Sequence, residues 1–103
     1  MRAMAFGGLV LEDLPSEERA RRTLPENGMA LSVKHVGQYA QHAAAKNAGF
    51  AKDDIVVEMD GLTSHATEGE LLGHLLQNHQ PGETISATVL RGDKRITFKL
   101  PMQ

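Results

Sequence analysis

The chain has 103 residues, 41% of them hydrophobic and 23% charged, which is enough for one domain with a modest core. Its formal net charge of −2 argues against a dedicated nucleic-acid or anionic-membrane surface, which needs clustered excess lysine and arginine. The absence of cysteine excludes disulfides, zinc–thiolate sites and thiol catalysis.

We expect residues 1–103 to form a single domain excised from a longer protein. No apolar run approaches the length that crosses a membrane. The segment Met1–Val10 is too short and too weakly apolar for a signal peptide. Any signal that directs the protein to a compartment is therefore expected outside this sequence.

The stretch Met4–Leu11 predicts a short apolar strand at Leu9–Leu11, preceded by Gly7 and Gly8. Glycine permits backbone dihedrals that turn successive N–H groups into one small concavity, where a carboxylate can be held. The same residues also suit an ordinary glycine turn that leads into a strand. The motif Phe6-Gly7-Gly8-Leu9 alone leaves both interpretations open.

A short polar helix is predicted over Ser16–Thr23, with Ser16 as its N-cap and with acidic residues before basic ones. It carries three arginines beside two glutamates, and we predict a solvated helix face rather than a phosphate site. These arginines are Arg19, Arg21 and Arg22. After a turn at Pro25–Gly28, the alternation over Met29–Val36 predicts a half-buried strand.

The chain then forms a compact corner. Gln41–Ala48 reads as a short helix of good helix formers, which Gly49 ends as a left-handed residue just past the last turn. The β-branched run Asp54–Met59 predicts a buried strand. Asp60-Gly61 then forces a tight reversal.

Thr67 to Glu70 form a capping box that opens an amphipathic helix. The helix has a broad stripe of leucines at Leu71, Leu72, Leu75 and Leu76. Either all four leucines belong to the core or one seam faces a ligand, and the sequence does not say which seam that is. Pro81-Gly82 ends the helix, and two strands follow at Thr84–Leu90 and Arg95–Leu100 around the hairpin turn Arg91–Lys94.

The segment Ala44–Gly61 resembles the signature of PDZ domains, in particular the bacterial kind attached to proteases of the HtrA/Deg type. The match runs from the alanines through Ala48-Gly49-Phe50 to Ile55 and Asp60-Gly61. One departure is Asp53, which stands where the family usually has glycine; aspartate tolerates the left-handed region better than most residues. The segment from Pro81-Gly82 to Leu100 is similar to the end of such domains.

The resemblance implies an α+β fold, a small PDZ-like, partly open β-barrel or sandwich of five to six strands with two to three helices. It also implies a module that captures extended, C-terminal peptide segments of other proteins by β-strand addition. The implied carboxylate-binding loop is Phe6, Gly7, Gly8 and Leu9. The implied peptide groove is lined by Val10, Leu11, Leu72, Leu75 and Leu76.

No catalytic constellation is visible. None of the four serines lies in a Gly-x-Ser-x-Gly elbow, and the five histidines form no His-x-x-x-His pair. We therefore expect a non-catalytic domain without metal or cofactor, and without direct membrane insertion. The resemblance alone implies that the protein is located in a bacterial cell envelope, and that the longer parent protein containing this domain is a serine protease. The alternative is a structural or regulatory accessory domain of a parent enzyme, with its groove occupied by an intramolecular partner or by self-association.

Overall fold

The computed structural model describes residues 8–37 and 44–102, which form one five-stranded antiparallel sheet in the order β1-β2-β3-β4-β5 with three helices. The sheet is not a closed barrel, and these elements confirm the predicted α+β fold. The order is β1 (Leu9–Asp13), α1 (Ser16–Arg21), β2 (Leu31–Val36), α2 (Ala44–Ala48), β3 (Ile55–Met59), α3 (Glu68–Asn78), β4 (Thr84–Arg91) and β5 (Lys94–Pro101). Within these residues, no helix is both long and apolar enough to span a membrane.

The main core contains buried aliphatic side chains from all five strands together with three leucines of α3. A second, smaller cluster contains Ile55 and Val57, whereas Val56 belongs to the main core. Successive side chains of a strand point to opposite faces, so the β-branched run of β3 is covered on both sides. This double burial explains why the run reads as continuously apolar instead of alternating.

The corner between α2 and β3 has the predicted backbone. Gly49 has φ +121°, a backbone conformation that favours glycine, and a Cβ there would lie 2.5 Å from a ring carbon of Phe98. Both the conformation and the lack of space therefore require glycine. Asp53 has φ +75°, which confirms that it takes the left-handed conformation in place of the usual glycine. The next residue, the buried Asp54, accepts two hydrogen bonds of 2.8 Å from Arg91 of β4, which ties the corner to the sheet.

The prediction that Arg19, Arg21 and Arg22 all lie in solvent is wrong for Arg19, whose side chain is 1% exposed. Its guanidinium donates to three backbone carbonyls, of Leu14, Pro25 and Gly28, at 2.7–3.0 Å. It also donates to Asp13 Oδ1 at 2.8 Å. The planar guanidinium has enough donors to satisfy all four acceptors, so Arg19 holds together the loops on both sides of α1.

Candidate functional site

Among the described strands, β1 lies at one edge of the sheet, because it pairs with β2 on one side and with none of them on the other. Its free edge faces α3: the backbone N–H of Leu11 donates to Glu68 Oε2 at 2.7 Å instead of to β2. An edge strand exposes backbone donors and acceptors that can pair with a further strand. The strip between β1 and the first turn of α3 is therefore the candidate site.

The start of α3 is fixed by the predicted capping box. Thr67 Oγ1 accepts the Glu70 N–H at 3.1 Å, and Glu70 Oε1 accepts the Thr67 N–H at 2.9 Å. These bonds make Glu68 the first helical residue, where the helix dipole favours a carboxylate. Leu72 lies one turn further along, on the same helix face as Glu68. Glu68 is thus a residue by which the first turn of α3 contacts β1.

Burial divides the residues predicted to line the groove into two groups. Leu9, Leu11, Leu72 and Leu75 are at most 7% exposed and belong to the main core. Val10 and Leu76, by contrast, are 42% and 58% exposed. The leucine stripe of α3 is therefore mainly a core seam, and Leu76 at its far end is the leucine that faces solvent.

The predicted carboxylate-binding loop is described in part, since Phe6 and Gly7 lie outside the described residues. Gly8 has φ +95°, a conformation that favours glycine, and its C=O accepts the Gly37 N–H at 3.0 Å. This bond fastens the turn to the end of β2. Leu9 follows as the first residue of β1.

The far end of α3 is held by an electrostatic cluster. Asp60 Oδ2 lies 2.7 Å from His79 Nε2 and 3.0 Å from His74 Nε2, and His79 Nδ1 lies 2.8 Å from Glu83 Oε1. The hydrogen bond to Asp60, helped by Glu83, raises the pKa of His79 above its usual value. Burial alone would raise the pKa of Asp60, but hydrogen bonds from His79 and His74 bring it below its usual value. The cluster ties α3 to the turn after β3.

The strip between β1 and α3 is closed in this structure. Leu11 and Leu72 are both nearly covered, and the Glu68 carboxylate bridges the two elements. None of three cavities formed by the described residues is lined by α3. Sequence reasoning missed Glu68, although its place directly after the N-cap Thr67 was a usable signal.

Comparison with known proteins decides the family. The family model described as "PDZ domain" matches residues 25–102 of this chain. The chain belongs to the PDZ family. Over 95 residues it is 23% identical to the serine protease Do-like HtrA of Lactobacillus helveticus, which confirms the predicted resemblance to the HtrA type. The alignment covers 92% of this chain and 22% of the protease.

The chain thus corresponds to the PDZ part of a much longer relative, and a PDZ domain is a non-catalytic protein-interaction module. The family match begins at residue 25, after β1 and α1. It therefore leaves the diglycine and the edge strand outside the matched residues.

Proposed function

We propose that this domain captures an extended peptide segment as an additional strand along the free edge of β1. The observation that supports this most directly is the Leu11 N–H, which points away from β2 toward α3 and already bonds an acceptor there. A peptide carbonyl is an acceptor of the same kind. Main-chain hydrogen bonds of this type supply affinity without requiring a particular peptide sequence.

The peptide would run antiparallel to β1, with its terminal carboxylate at the turn that precedes the strand. The proposed carboxylate loop is Phe6 to Leu9, and the positive φ of Gly8 supports a turn that directs N–H groups outward. Val10, Leu11, Leu72, Leu75 and Leu76 remain the proposed wall for apolar peptide side chains. Of these, Val10 and Leu76 offer surface directly, while the others become accessible only if α3 moves away from β1.

Glu68 has to release Leu11 before a peptide carbonyl can bind there. This exchange replaces one hydrogen bond with another, so part of the gross binding energy is lost. We expect a micromolar dissociation constant, which corresponds to about −8 kcal/mol or weaker. Selectivity would come from the peptide side chains that contact Val10 and the leucines of α3.

The test is a two-dimensional ¹⁵N–¹H NMR titration with one hydrophobic peptide prepared as the free acid and as the C-terminal amide. We expect saturable shifts at Gly8, in β1 and in the first turn of α3, with clearly weaker binding of the amide. Equal binding of the two peptides would contradict the carboxylate loop. No binding of either, or shifts confined to other elements, would contradict strand addition at β1.

A second candidate function is that of an accessory domain that positions or restrains a protease while doing no chemistry. It is favoured by the alignment of nearly the whole chain with one part of a serine protease. The edge of β1 would then be occupied by the parent's own linker or by a second copy. Activity of the longer protein that is unchanged on removal of this domain would contradict this role.

A further inference from the structure

A cavity of about 440 Å³ opens at the end of β2, and none of its lining residues belongs to β1 or α3. Three separate segments converge on it: β2, α2 and the turn before β3. Four of its residues carry a basic side chain and three are apolar. We call it the lysine pocket; its lining residues are Lys34, His35, Val36, Lys46, Phe50, Ala51 and Lys52.

A β-bulge builds one wall of the lysine pocket. The pairing of β1 with β2 shifts between Val10 and Leu11, whose partners are His35 and Val33, so Lys34 is the extra residue of β2. Bulges of this kind redirect a side chain. As a result, Lys34 and His35 are both exposed although they are consecutive, and both line the pocket.

The three lysines have no ion-pair or hydrogen-bond partner among residues 8–37 and 44–102. Acidic residues do occur nearby, since Lys34 also borders a second cavity whose lining includes Glu12, Glu18 and Asp53. No acidic residue lines the lysine pocket itself. Three uncompensated positive charges around one concavity attract an anion of more than one negative charge.

The apolar wall of the pocket is part of the packed core. Phe50 and Val36 belong to the main core and are 4% and 7% exposed, and the Phe50 ring packs against Phe98 with centroids 4.9 Å apart. A preformed wall lowers the entropic cost of binding. It also favours a ligand that presents an apolar body next to its charged group.

We propose that the lysine pocket binds the phosphate group of a small soluble molecule with an apolar or aromatic body. Phosphate carries nearly two charges at neutral pH, and lysines bind it as point charges. The net charge of the chain is −2, and these three lysines line a concavity, which favours a small ligand over a flat membrane surface. This site is independent of peptide capture at β1.

The test is an NMR titration of the whole chain with inorganic pyrophosphate at constant ionic strength. We expect saturable shifts of the amides of Lys34 to Val36, Lys46 and Phe50 to Lys52. Lys46→Gln should weaken binding about threefold, the effect expected for one exposed ion pair. The charge-matched control is Lys99→Gln, because Lys99 is exposed on β5 and lines none of the three cavities described.

Three results would overturn the proposal. The first is a set of shifts that grow linearly with pyrophosphate over the whole surface. The second is equal weakening by Lys99→Gln and Lys46→Gln, since that would indicate a general charge effect. The third comes from co-sedimentation with vesicles of phosphatidylcholine and phosphatidylglycerol: vesicle binding that depends on Lys46 would assign these lysines to a membrane surface instead. Lys52→Gln provides a second test if Lys46→Gln lowers the melting temperature.

Discussion

Replacing Glu68 by alanine should make this domain bind peptide more tightly while making it less stable. The Glu68 carboxylate accepts the Leu11 N–H at 2.7 Å, and a hydrogen bond to a charged group contributes about 1.5–3 kcal/mol net. The bond is partly buried, so we take the lower end, about 1.5 kcal/mol. A peptide that no longer has to displace this contact should bind about tenfold more tightly.

The stability of the same variant should change in the opposite direction. Glu68 is the first residue of α3, where a carboxylate interacts favourably with the helix dipole by about 0.3–1 kcal/mol. Its removal also leaves the Leu11 N–H to water. We therefore expect Glu68→Ala to unfold at lower urea concentration than the unmodified chain.

The binding assay is fluorescence anisotropy with a labelled hydrophobic peptide that has a free C-terminal carboxylate. Glu12→Ala is the control, since Glu12 is an exposed acidic residue that follows Leu11 in β1 and no hydrogen bond joins its side chain to the Leu11 N–H. It should leave the affinity within a factor of about two. Glu68→Gln keeps an uncharged acceptor and should give an intermediate affinity.

Peptide affinity that is unchanged or weaker in Glu68→Ala, at an equal folded fraction, would refute the competition between Glu68 and the peptide. Equal strengthening by Glu12→Ala would show that net charge, not the Leu11 contact, controls affinity. Both variants remove one negative charge, Glu12→Ala from β1 and Glu68→Ala from α3. The comparison therefore isolates the hydrogen bond.

Three further predictions concern stability. Arg19→Ala should lower the free energy of unfolding by about 3 kcal/mol, because it leaves several acceptors without their donor. The control is Arg21→Ala, which removes an exposed side chain and should change the free energy of unfolding by less than about 0.5 kcal/mol. Equal effects of the two variants in urea unfolding would contradict the structural role of Arg19. Gly49→Ala should lower the free energy of unfolding by about 2–4 kcal/mol, since it places a Cβ at a residue with positive φ and against the Phe98 ring. A thermal melt like that of the unmodified chain would contradict the close approach of Gly49 to Phe98. The pKa of His79 is raised by Asp60, so its contribution to stability is complete below pH 6.5 and declines as the pH rises through the higher folded-state pKa. The pKa of Asp60 is lowered, so its contribution is lost as the pH falls below 3.8. His79→Gln should therefore flatten the loss of stability on the alkaline side, as measured by thermal melts across pH, and an unchanged profile would contradict the coupling.

Local chemistry predicted most of the fold. Apolar patterns, alternating in β2 and continuous in β1 and β3, located every strand that the structure describes to within two residues at each end. The capping box of Thr67 and the left-handed conformation of Asp53 depend on neighbouring residues alone, and both were predicted correctly. Features of this kind are encoded within a few positions of the chain.

Features that depend on how distant segments meet were not predictable in the same way. Arg19 looks like any arginine beside glutamates, and its acceptors become neighbours only when the loops around α1 close. The division between Leu75 and Leu76 depends on the rotation of α3 about its axis, which a stripe of four leucines does not fix. The bulge at Lys34 depends on the register with β1, so no pattern within β2 alone could reveal it.

The two edges of the sheet show why strand addition is proposed at β1 and not at β5. The edge strand β5 is protected along its length, since Lys94, Arg95 and Lys99 are exposed and Pro101 has no N–H to donate. Charged side chains spread over a strand oppose pairing at every position and cannot all be moved aside. At Leu11, the edge of β1 is covered by the Glu68 carboxylate, which accepts the Leu11 N–H. If peptide is captured at β1 as proposed, this local contact would suppress pairing between copies, and a strand from a specific partner would displace it.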